Sequence, residues 1–324
     1  MNLNVKNKPL KVLGFILFFC FICACNHRNK HLVALYGKPR ALGKVLQVGI
    51  VCSQEMWGSS VGDSLRFWLA KDTIFFDNHI TEKRFSYLHI LPEDMRHFPK
   101  YHRNLLYIFG TQDLQYLDTI QRKNAQAKEE YLFLKEEIAK GQISVYANFG
   151  TISKQEITKK LAKKWTQITK YWWENERQAM RDKVFNFEMH KISPLEQWIE
   201  KKYGILYRVP INFLPYYITK NSLIFQDKNA PKMKVFLQIM NGVSDKNKLN
   251  FYQKDSINID SQNKYTNEIS NFFYWENKKT SRKGILLQNN ATTHKKYLIE
   301  VLVYLNKNSN NVLNLLQAEA LLML

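Results

Sequence analysis

The chain has 324 residues, 45% of them hydrophobic and 23% charged, a composition that excludes a disordered tail and indicates a folded protein. Lysine and arginine outnumber aspartate and glutamate by 48 to 28, so the formal net charge at pH 7 is +20. Such an excess favours nucleic acid or an anionic surface as partner, although the lysine- and asparagine-rich composition of an AT-rich genome explains the same charge.

The first 24 residues are organised like a secretory signal peptide. Lys6, Lys8 and Lys11 form a positively charged start, and an uninterrupted apolar run follows over residues 12–24. This run is shorter than the roughly 20 apolar residues that a membrane-spanning helix needs, so we expect cleavage rather than a span. Loss of the three lysines lowers the net charge of +20 to about +17.

Residues 22–25, Ile-Cys-Ala-Cys, resemble the lipobox of bacterial lipoproteins, in which the last cysteine receives diacylglycerol. The resemblance implies that Cys25 is the lipidated first residue of the mature protein, and two or more acyl chains anchor a protein durably. An ordinary secretion signal with a coincidental cysteine is the alternative. Asn26, His27 and Arg28 carry no acidic group, which by resemblance to envelope lipoproteins favours the outer membrane, facing the periplasm.

The predicted location in the cell envelope changes the expected partners and the expected role of the cysteines. It argues against nucleic acid and leaves the membrane itself, other envelope proteins, and acidic lipid or glycan. Cys20 and Cys23 leave with the signal and Cys25 is lipidated, so Cys52 alone remains and no disulfide framework is expected. We interpret Cys52 as a small buried hydrophobic side chain rather than a reactive thiol.

A basic tether over residues 25–42 precedes a predicted N-terminal α+β domain over residues 43–190. Apolar runs predict strands at residues 44–51, 85–91, 104–109 and 142–147, and a polar stretch has a helical tendency over residues 128–140. Ser60 with Asp63 predicts the start of one helix, and Ser153 with Glu156 predicts the start of a longer one.

The longer helix carries one apolar stripe. Its members recur at spacings of three and four residues and are Ile157, Leu161, Trp165, Ile168 and Trp172. Lysines occupy the remaining faces, which indicates a solvated surface or, alternatively, contact with lipid.

A second α+β domain is predicted over residues 191–324. Ser193, Pro194 and Glu196 predict the start of a short helix. Predicted strands follow at residues 205–209, 222–226, 233–240, 271–275, 284–288 and 297–305, and a helix closes the chain over residues 312–322. Because strands and helices do not alternate regularly, we predict an α+β fold with mostly antiparallel sheets, packed helices and two sub-domains.

Several short motifs occur in a fixed order along the chain. They are residues 43–51, 55–58, 61–65, the His-Arg-Asn at 102–104, residues 198–205 and the Val-Pro at 209–210. As an ordered set they resemble an uncharacterised family of Bacteroidota envelope lipoproteins, a domain of unknown function, over residues 37–324. The resemblance implies a lipid-anchored α+β protein and assigns no catalytic residue.

Candidate chemistry is sparse. Five potential metal ligands lie within fourteen residues, namely His89, Glu93, Asp94, His97 and His102. Their spacing does not match a His-Glu-x-x-His site, so we predict no metal and keep His97 and His102 as the weak candidates. We find no Gly-x-Ser-x-Gly motif and no phosphate-binding Gly-rich loop with its lysine, and we predict neither a catalytic residue nor a cofactor.

Clustered aromatic residues predict a contact surface. Neighbouring side chains in a strand point to opposite faces, so a run of aromatic residues leaves some exposed unless another element covers them. We predict Trp172, Trp173, Phe273 and Trp275 as its members. The leading hypothesis is a non-catalytic envelope lipoprotein that binds or scaffolds another component; the alternatives are an envelope hydrolase acting on cell wall or lipid, and a subunit of an outer-membrane or lipoprotein assembly complex.

Overall fold

The computed structural model describes residues 38–77, 80–109, 115–117, 119–135, 137–150, 152–185, 192–203, 207–218, 222–228, 233–239, 257–266, 270–277, 282–289, 297–304 and 310–322. The predicted signal peptide, Cys25 and most of the tether lie outside the described residues. The predicted domain boundary, between residues 190 and 191, also lies outside them.

The first sheet has five strands in the order β4-β1-β5-β7-β6. They are β1 (Gln47–Val51), β4 (Ser86–Ile90), β5 (Asn104–Ile108), β6 (Tyr131–Lys135) and β7 (Ile143–Ala147). The pairs β1–β4, β1–β5 and β5–β7 are parallel, and β6 pairs antiparallel with β7. Four of these strands, β1, β4, β5 and β7, lie where strands were predicted. The helical tendency over residues 128–140 was wrong because β6 occupies its centre, and the hairpin of β2 (Thr73–Asp77) and β3 (Ile80–Lys83) was not predicted.

The parallel pairs of the first sheet differ from the mostly antiparallel pairing predicted for the fold. Every residue of β5 and of β7 is buried, and so are four of the five residues of β1. Parallel strands are covered on both faces, so their sequences are continuous apolar runs rather than alternating patterns. The uninterrupted run Leu105, Leu106, Tyr107, Ile108 has this form.

The helices are α1 (Gln54–Trp57), α2 (Ser60–Lys71), α3 (Thr119–Ala125), α4 (Lys154–Phe185), α5 (Pro194–Tyr203) and α6 (Asn311–Leu321), with 3₁₀ helices at Pro92–Arg96 and Phe98–Tyr101. The four predicted helices, α2, α4, α5 and α6, begin close to their predicted starts, whereas α1 and α3 were not predicted. Ser59, rather than Ser60, caps α2 by accepting a hydrogen bond from the Val61 N–H at 3.3 Å. The predicted start of α5 is confirmed. Glu196 N donates to Ser193 Oγ and Ser193 N donates to Glu196 Oε2, which is the reciprocal pair of hydrogen bonds of a capping box.

Helix α4 packs with α2 on one face of the first sheet. Ile157, Leu161, Ile168 and Trp172 are buried as predicted, and Trp165 packs at the edge of the same cluster. A smaller core covers the opposite face, where the rings of Tyr107 and Tyr146 stack with centroids 4.3 Å apart. The sheet is therefore covered on both sides.

The second sheet has seven antiparallel strands in the order β11-β12-β13-β14-β10-β9-β8. They are β8 (Phe213–Ile218), β9 (Ser222–Asp227), β10 (Met233–Ile239), β11 (Ile257–Thr266), β12 (Ser270–Asn277), β13 (Arg282–Asn289) and β14 (Tyr297–Tyr304). Five were predicted; β8 and β11 were not. Residues 207–209, predicted as part of a strand, are irregular.

The α+β fold class is confirmed. Phe225, Leu287 and Val301 of the second sheet belong to the same buried cluster as β1 and α4, so the two predicted domains share a core. The closing helix α6 is confirmed and packs against α4 and β14. Within the described part of the chain, no helix combines the length and the apolar character needed to cross a bilayer.

Candidate functional site

A cleft of about 850 Å³ lies where β5 and β7 begin. Its walls come from the segment before β1, from the end of β6, from the loop that enters β7, and from the turns of α4 between residues 174 and 183. Lys135 pairs with Ile143 in the sheet, so the last residue of β6 lies at the same edge as the first residue of β7. The cleft is thus built at the amino ends of the parallel strands.

The chain before β1 is folded against this edge. Ala41 N donates to the Lys140 carbonyl at 2.9 Å, and Lys140 N donates to the Pro39 carbonyl at 2.7 Å. Further on, Leu42 N donates to the Tyr101 carbonyl at 2.7 Å. Residues 39–42, assigned to the tether from sequence, are therefore fixed at this edge of the sheet, and Arg40 and Ala41 among them line the cleft.

A buried carboxylate lies at the base of the cleft. The Glu176 side chain is 0% exposed, and its Oε2 accepts a hydrogen bond from Arg103 NH1 at 2.8 Å. Asn104 Nδ2 donates to Glu176 Oε1 at 2.6 Å, and Leu46 adds a backbone hydrogen bond. Burial raises the pKa of Glu176, whereas the Arg103 charge and these hydrogen bonds oppose the rise.

Asn175 extends this network and connects α4 to the first residue of β5 and to the loop that enters β7. Asn175 Nδ2 donates to Asn104 Oδ1 at 3.0 Å and to the Gly141 carbonyl at 3.2 Å. Leu46, whose backbone bonds to Glu176, has a φ of 60°, a left-handed conformation that is strained for a residue with a Cβ. The surrounding contacts hold this strained residue where its backbone reaches the carboxylate.

Basic side chains outnumber acidic ones in the lining. The six basic residues are Arg40, Arg103, Lys135, Lys140, Arg177 and Lys183, and the three acidic ones are Glu174, Glu176 and Asp182. Glu176 is matched by Arg103, and Asp182 accepts a hydrogen bond from Gln178 at 3.0 Å. The formal excess of three positive charges suits an anionic ligand.

The two candidate metal ligands lie in different environments. His97 is exposed between the two 3₁₀ helices. His102 is 5% exposed, with Nδ1 3.2 Å from the Asn104 carbonyl and Nε2 3.3 Å from Gln47 Oε1. Burial lowers the pKa of His102, with a backbone hydrogen bond to Asn104 opposing the shift. The described residues contain no group of three or more potential ligands that could hold a metal ion.

The other residues of that sequence cluster are also separated. His89 lies opposite Ile50, and its Nε2 is 3.0 Å from the Cys52 carbonyl at the far end of β1. His102 contacts Gln47, the first residue of the same strand. Glu93 and Asp94 are exposed in the first 3₁₀ helix, and Cys52 is fully buried, as interpreted.

The predicted aromatic contact surface was wrong at Trp172. This side chain is 0% exposed and meets Phe85 edge-on at 5.8 Å, because it belongs to the apolar stripe of α4. Trp173 is partly buried, and its Nε1 donates to Glu319 Oε2 of α6 at 2.8 Å. The side chains of Phe273 and Trp275 lie outside the described residues.

Sequence reasoning missed the network at the base of the cleft. Glu176 follows Ile168 and Trp172 at the spacing of four that marks the buried stripe, and Met180 continues it. An acidic residue in an apolar stripe needs a buried partner, and this signal was available. The partner, Arg103, was not identifiable because it lies 73 positions away.

The chain was also compared with known proteins. No curated protein and no solved structure matches it. Residues 41–185 match a family model described as Domain of unknown function (DUF8532). This range includes every residue that lines the cleft except Arg40. The range that is similar to this domain of unknown function therefore includes nearly the whole lining of the cleft.

Proposed function

We propose that this protein is a non-catalytic lipoprotein of the bacterial cell envelope, held at the membrane by lipid on Cys25, that binds an acidic envelope component. The observation that carries the proposal is the cleft, in which six basic side chains face three acidic ones. Its buried carboxylate, Glu176, is already matched by a guanidinium and an amide. The formal excess of positive charge in the lining supports an acidic ligand.

Binding fits this arrangement better than acid–base catalysis. A general acid or base must reach the proton that it transfers. Glu176 is fully buried and hydrogen-bonded to Arg103 and Asn104, and neither His97 nor His102 lines the cleft. This supports the binding hypothesis over the hydrolase alternative.

The proposed location rests on the lipobox at residues 22–25 and on the resemblance to envelope lipoproteins of Bacteroidota. We propose the outer membrane, with the folded part facing the periplasm, because the residues after Cys25 are not acidic. About 15 residues separate Cys25 from Arg40, so a fully extended tether spans at most about 50 Å. The cleft then stays close to the membrane surface.

Metabolic labelling with a palmitate analogue tests the anchor. We expect the wild-type protein to carry the label in the membrane fraction and Cys25→Ala to lose the label. Cys23→Ala is the matched control, because Cys23 leaves with the signal and its substitution keeps the label. Affinity capture of crosslinked partners from the labelled envelope then tests binding. An unlabelled wild-type protein with an intact N-terminus in the cytosol would refute the proposal.

A further inference from the structure

The two larger sheets end in the edge strands β4, β6, β8 and β11. An edge strand presents unpaired backbone N–H and C=O groups, and proteins protect it with charged residues, proline or bulges. Strand β6 ends in Lys135, β8 contains Pro215 with a register shift after it, and β11 has a register shift after Asp260. Within Ser86–Ile90, β4 has no charged residue and no proline, and its register with β1 is continuous. Strand β4 is therefore the least protected of these four edges.

Alternate residues of β4 are hydrogen-bonded to β1. Ser86 N donates to the Leu46 carbonyl at 2.9 Å, and the Ile90 carbonyl accepts a hydrogen bond at 3.2 Å from the residue that follows β1. In a parallel pair, the residues that bond to the neighbour alternate with residues that face away from it. The backbone N–H and C=O groups of Tyr87 and His89 therefore point to the open edge of the sheet.

The side chains at this edge are aromatic or apolar, and the rings are already held in place. Tyr87 and Leu88 are 42% and 43% exposed. The Trp57 ring stacks on the His89 ring with centroids 4.6 Å apart, and its centroid lies 5.7 Å from that of Tyr87. Because contacts within one chain already order these rings, little side-chain entropy is lost when a partner packs against them.

A second copy of the same strand fits this edge. In an antiparallel pair centred on Leu88, Tyr87 of one copy lies opposite His89 of the other copy, so the residues that face outward meet each other. Every outward N–H and C=O group of both strands then has a partner. The same register places Leu88 opposite Leu88 of the second copy and Tyr87 opposite the His89 ring. Such apolar and aromatic cross-strand pairs stabilise a sheet.

The charges at the two ends of β4 favour the antiparallel direction. Lys83 is exposed before the strand, and Glu93 and Asp94 are exposed after it. The segment Pro92–Arg96 contains these two carboxylates and one guanidinium, so its net charge is −1. Antiparallel pairing brings the basic end of one copy towards the acidic end of the other, whereas parallel pairing would bring like charges together.

We propose that β4 pairs antiparallel with β4 of a second copy of this chain, with Leu88 at the two-fold axis, so that the first sheet continues through both copies. Such an interface presents the same surface on each copy. The pairing involves five residues of each copy, so the interface is small and the dimer is reversible. No residue of β4 lines the cleft, so dimerisation uses a separate surface.

Disulfide crosslinking of single-cysteine variants tests the register. The protein is the mature chain with Cys25→Ala, in which Cys52 is fully buried. Under copper–phenanthroline oxidation we expect Leu88→Cys to form a linked dimer. Opposing residues of a non-hydrogen-bonded antiparallel pair have Cα atoms about 4.5 Å apart, which is within the range of a disulfide.

Two exposed positions provide matched controls for the crosslinking. Ser86→Cys lies on the same strand, but antiparallel pairing separates its two copies by about 14 Å along the strands, so we expect crosslinking about tenfold slower than for Leu88→Cys. Leu214→Cys lies on the protected edge strand β8 and is 50% exposed, so it measures disulfides formed by random collision.

Sedimentation velocity over a concentration series measures association without a crosslink. Leu88→Lys places two ammonium groups opposite each other at the two-fold axis, and we expect a dissociation constant about tenfold higher than that of the chain without it. Leu214→Lys adds the same charge at an exposed leucine of another edge and should leave the dissociation constant unchanged. Circular dichroism verifies that both variants keep the fold.

Other results overturn the inference. Equal crosslinking of Leu88→Cys and Leu214→Cys would show random collision, and crosslinking of Ser86→Cys as fast as Leu88→Cys would exclude this register. A dimer that Leu88→Lys does not weaken would lie on a different surface, and equal weakening by Leu214→Lys would show general repulsion. A chain that stays monomeric at every concentration would exclude a second copy and leave the edge to a strand of another protein.

Discussion

Replacement of Arg103 by alanine would leave the buried Glu176 carboxylate without its charged partner. The two groups are joined at 2.8 Å, and the exposed fractions of their side chains are 19% for Arg103 and 0% for Glu176. Breaking a buried ion pair from one side costs roughly 3–5 kcal/mol, because the remaining charge is desolvated and unpaired. Hydrogen bonds from Asn104 and Leu46 remain, so we expect a loss near the lower end, about 3 kcal/mol.

A double variant separates the charge from the packing. Arg103→Met with Glu176→Met removes both charges and keeps apolar volume, a replacement that is often neutral or stabilising. We therefore expect it to recover most of the stability lost in Arg103→Ala. Lys154→Ala is the control for an exposed pair, because Lys154 and Glu55 approach even more closely, to 2.6 Å, but their side chains are 39% and 83% exposed. Its expected cost is much smaller than that of Arg103→Ala, because water screens an exposed ion pair.

Urea unfolding at pH 7, followed by tryptophan fluorescence, measures these free energies of unfolding. A cost for Arg103→Ala no larger than that of Lys154→Ala would contradict the assignment of Glu176 as a charge that depends on Arg103. A double variant less stable than Arg103→Ala would mean that the network stabilises through its hydrogen-bond geometry rather than through charge compensation.

Three further predictions concern the same edge of the sheet and the capping of α5. Gly43 has a φ of +100°, and an added Cβ would lie 2.7 Å from the buried His102 ring, so we expect Gly43→Ala to cost about 2 kcal/mol in urea unfolding. Gly150→Ala, with a φ of +61° and open space around the Cβ, should cost only the strain of about 1 kcal/mol; equal costs would contradict the close contact. Because burial lowers the pKa of His102, its contribution to stability is complete above its unfolded pKa of about 6.5 and decreases as the pH falls below that value. Urea midpoints between pH 5 and 8 should therefore decrease on acidification less steeply in His102→Gln than in wild type, and parallel curves would refute this. Ser193→Ala removes the acceptor of the Glu196 N–H and should lower the unfolding free energy by about 1 kcal/mol, whereas an unchanged value would show that the cap is dispensable.

Local patterns were sufficient for most elements. The capping box at Ser193 and the stripe of α4 predicted helices correctly, because both depend on residues within a few turns of one another. The strand β6 was missed because its charged surroundings favour a helix, while pairing with β7 stabilises the extended form. Strand preference depends on the neighbour, and the neighbour is not visible in a local pattern.

The residues of the candidate site were harder to predict from the sequence than the elements of the fold. Trp172 was predicted both in the apolar stripe and on a contact surface, and only the first assignment agrees with its complete burial. His89 and His102 are near in sequence but lie at opposite ends of the sheet, since the chain between them returns along its length. The short separation of these histidines in the sequence therefore does not bring their side chains together in the structure.

The sequence by itself determined the excess of positive charge and the α+β class, and it is the basis of the predicted signal peptide and of the lipobox proposed at Cys25, because these depend on composition and on short-range order. The cleft was decided by tertiary structure alone. It requires Arg40, Lys140 and Glu176 to meet at one edge of a sheet, from segments separated by many tens of residues. No local pattern carries that information, since packing of the whole core sets which strand ends lie together.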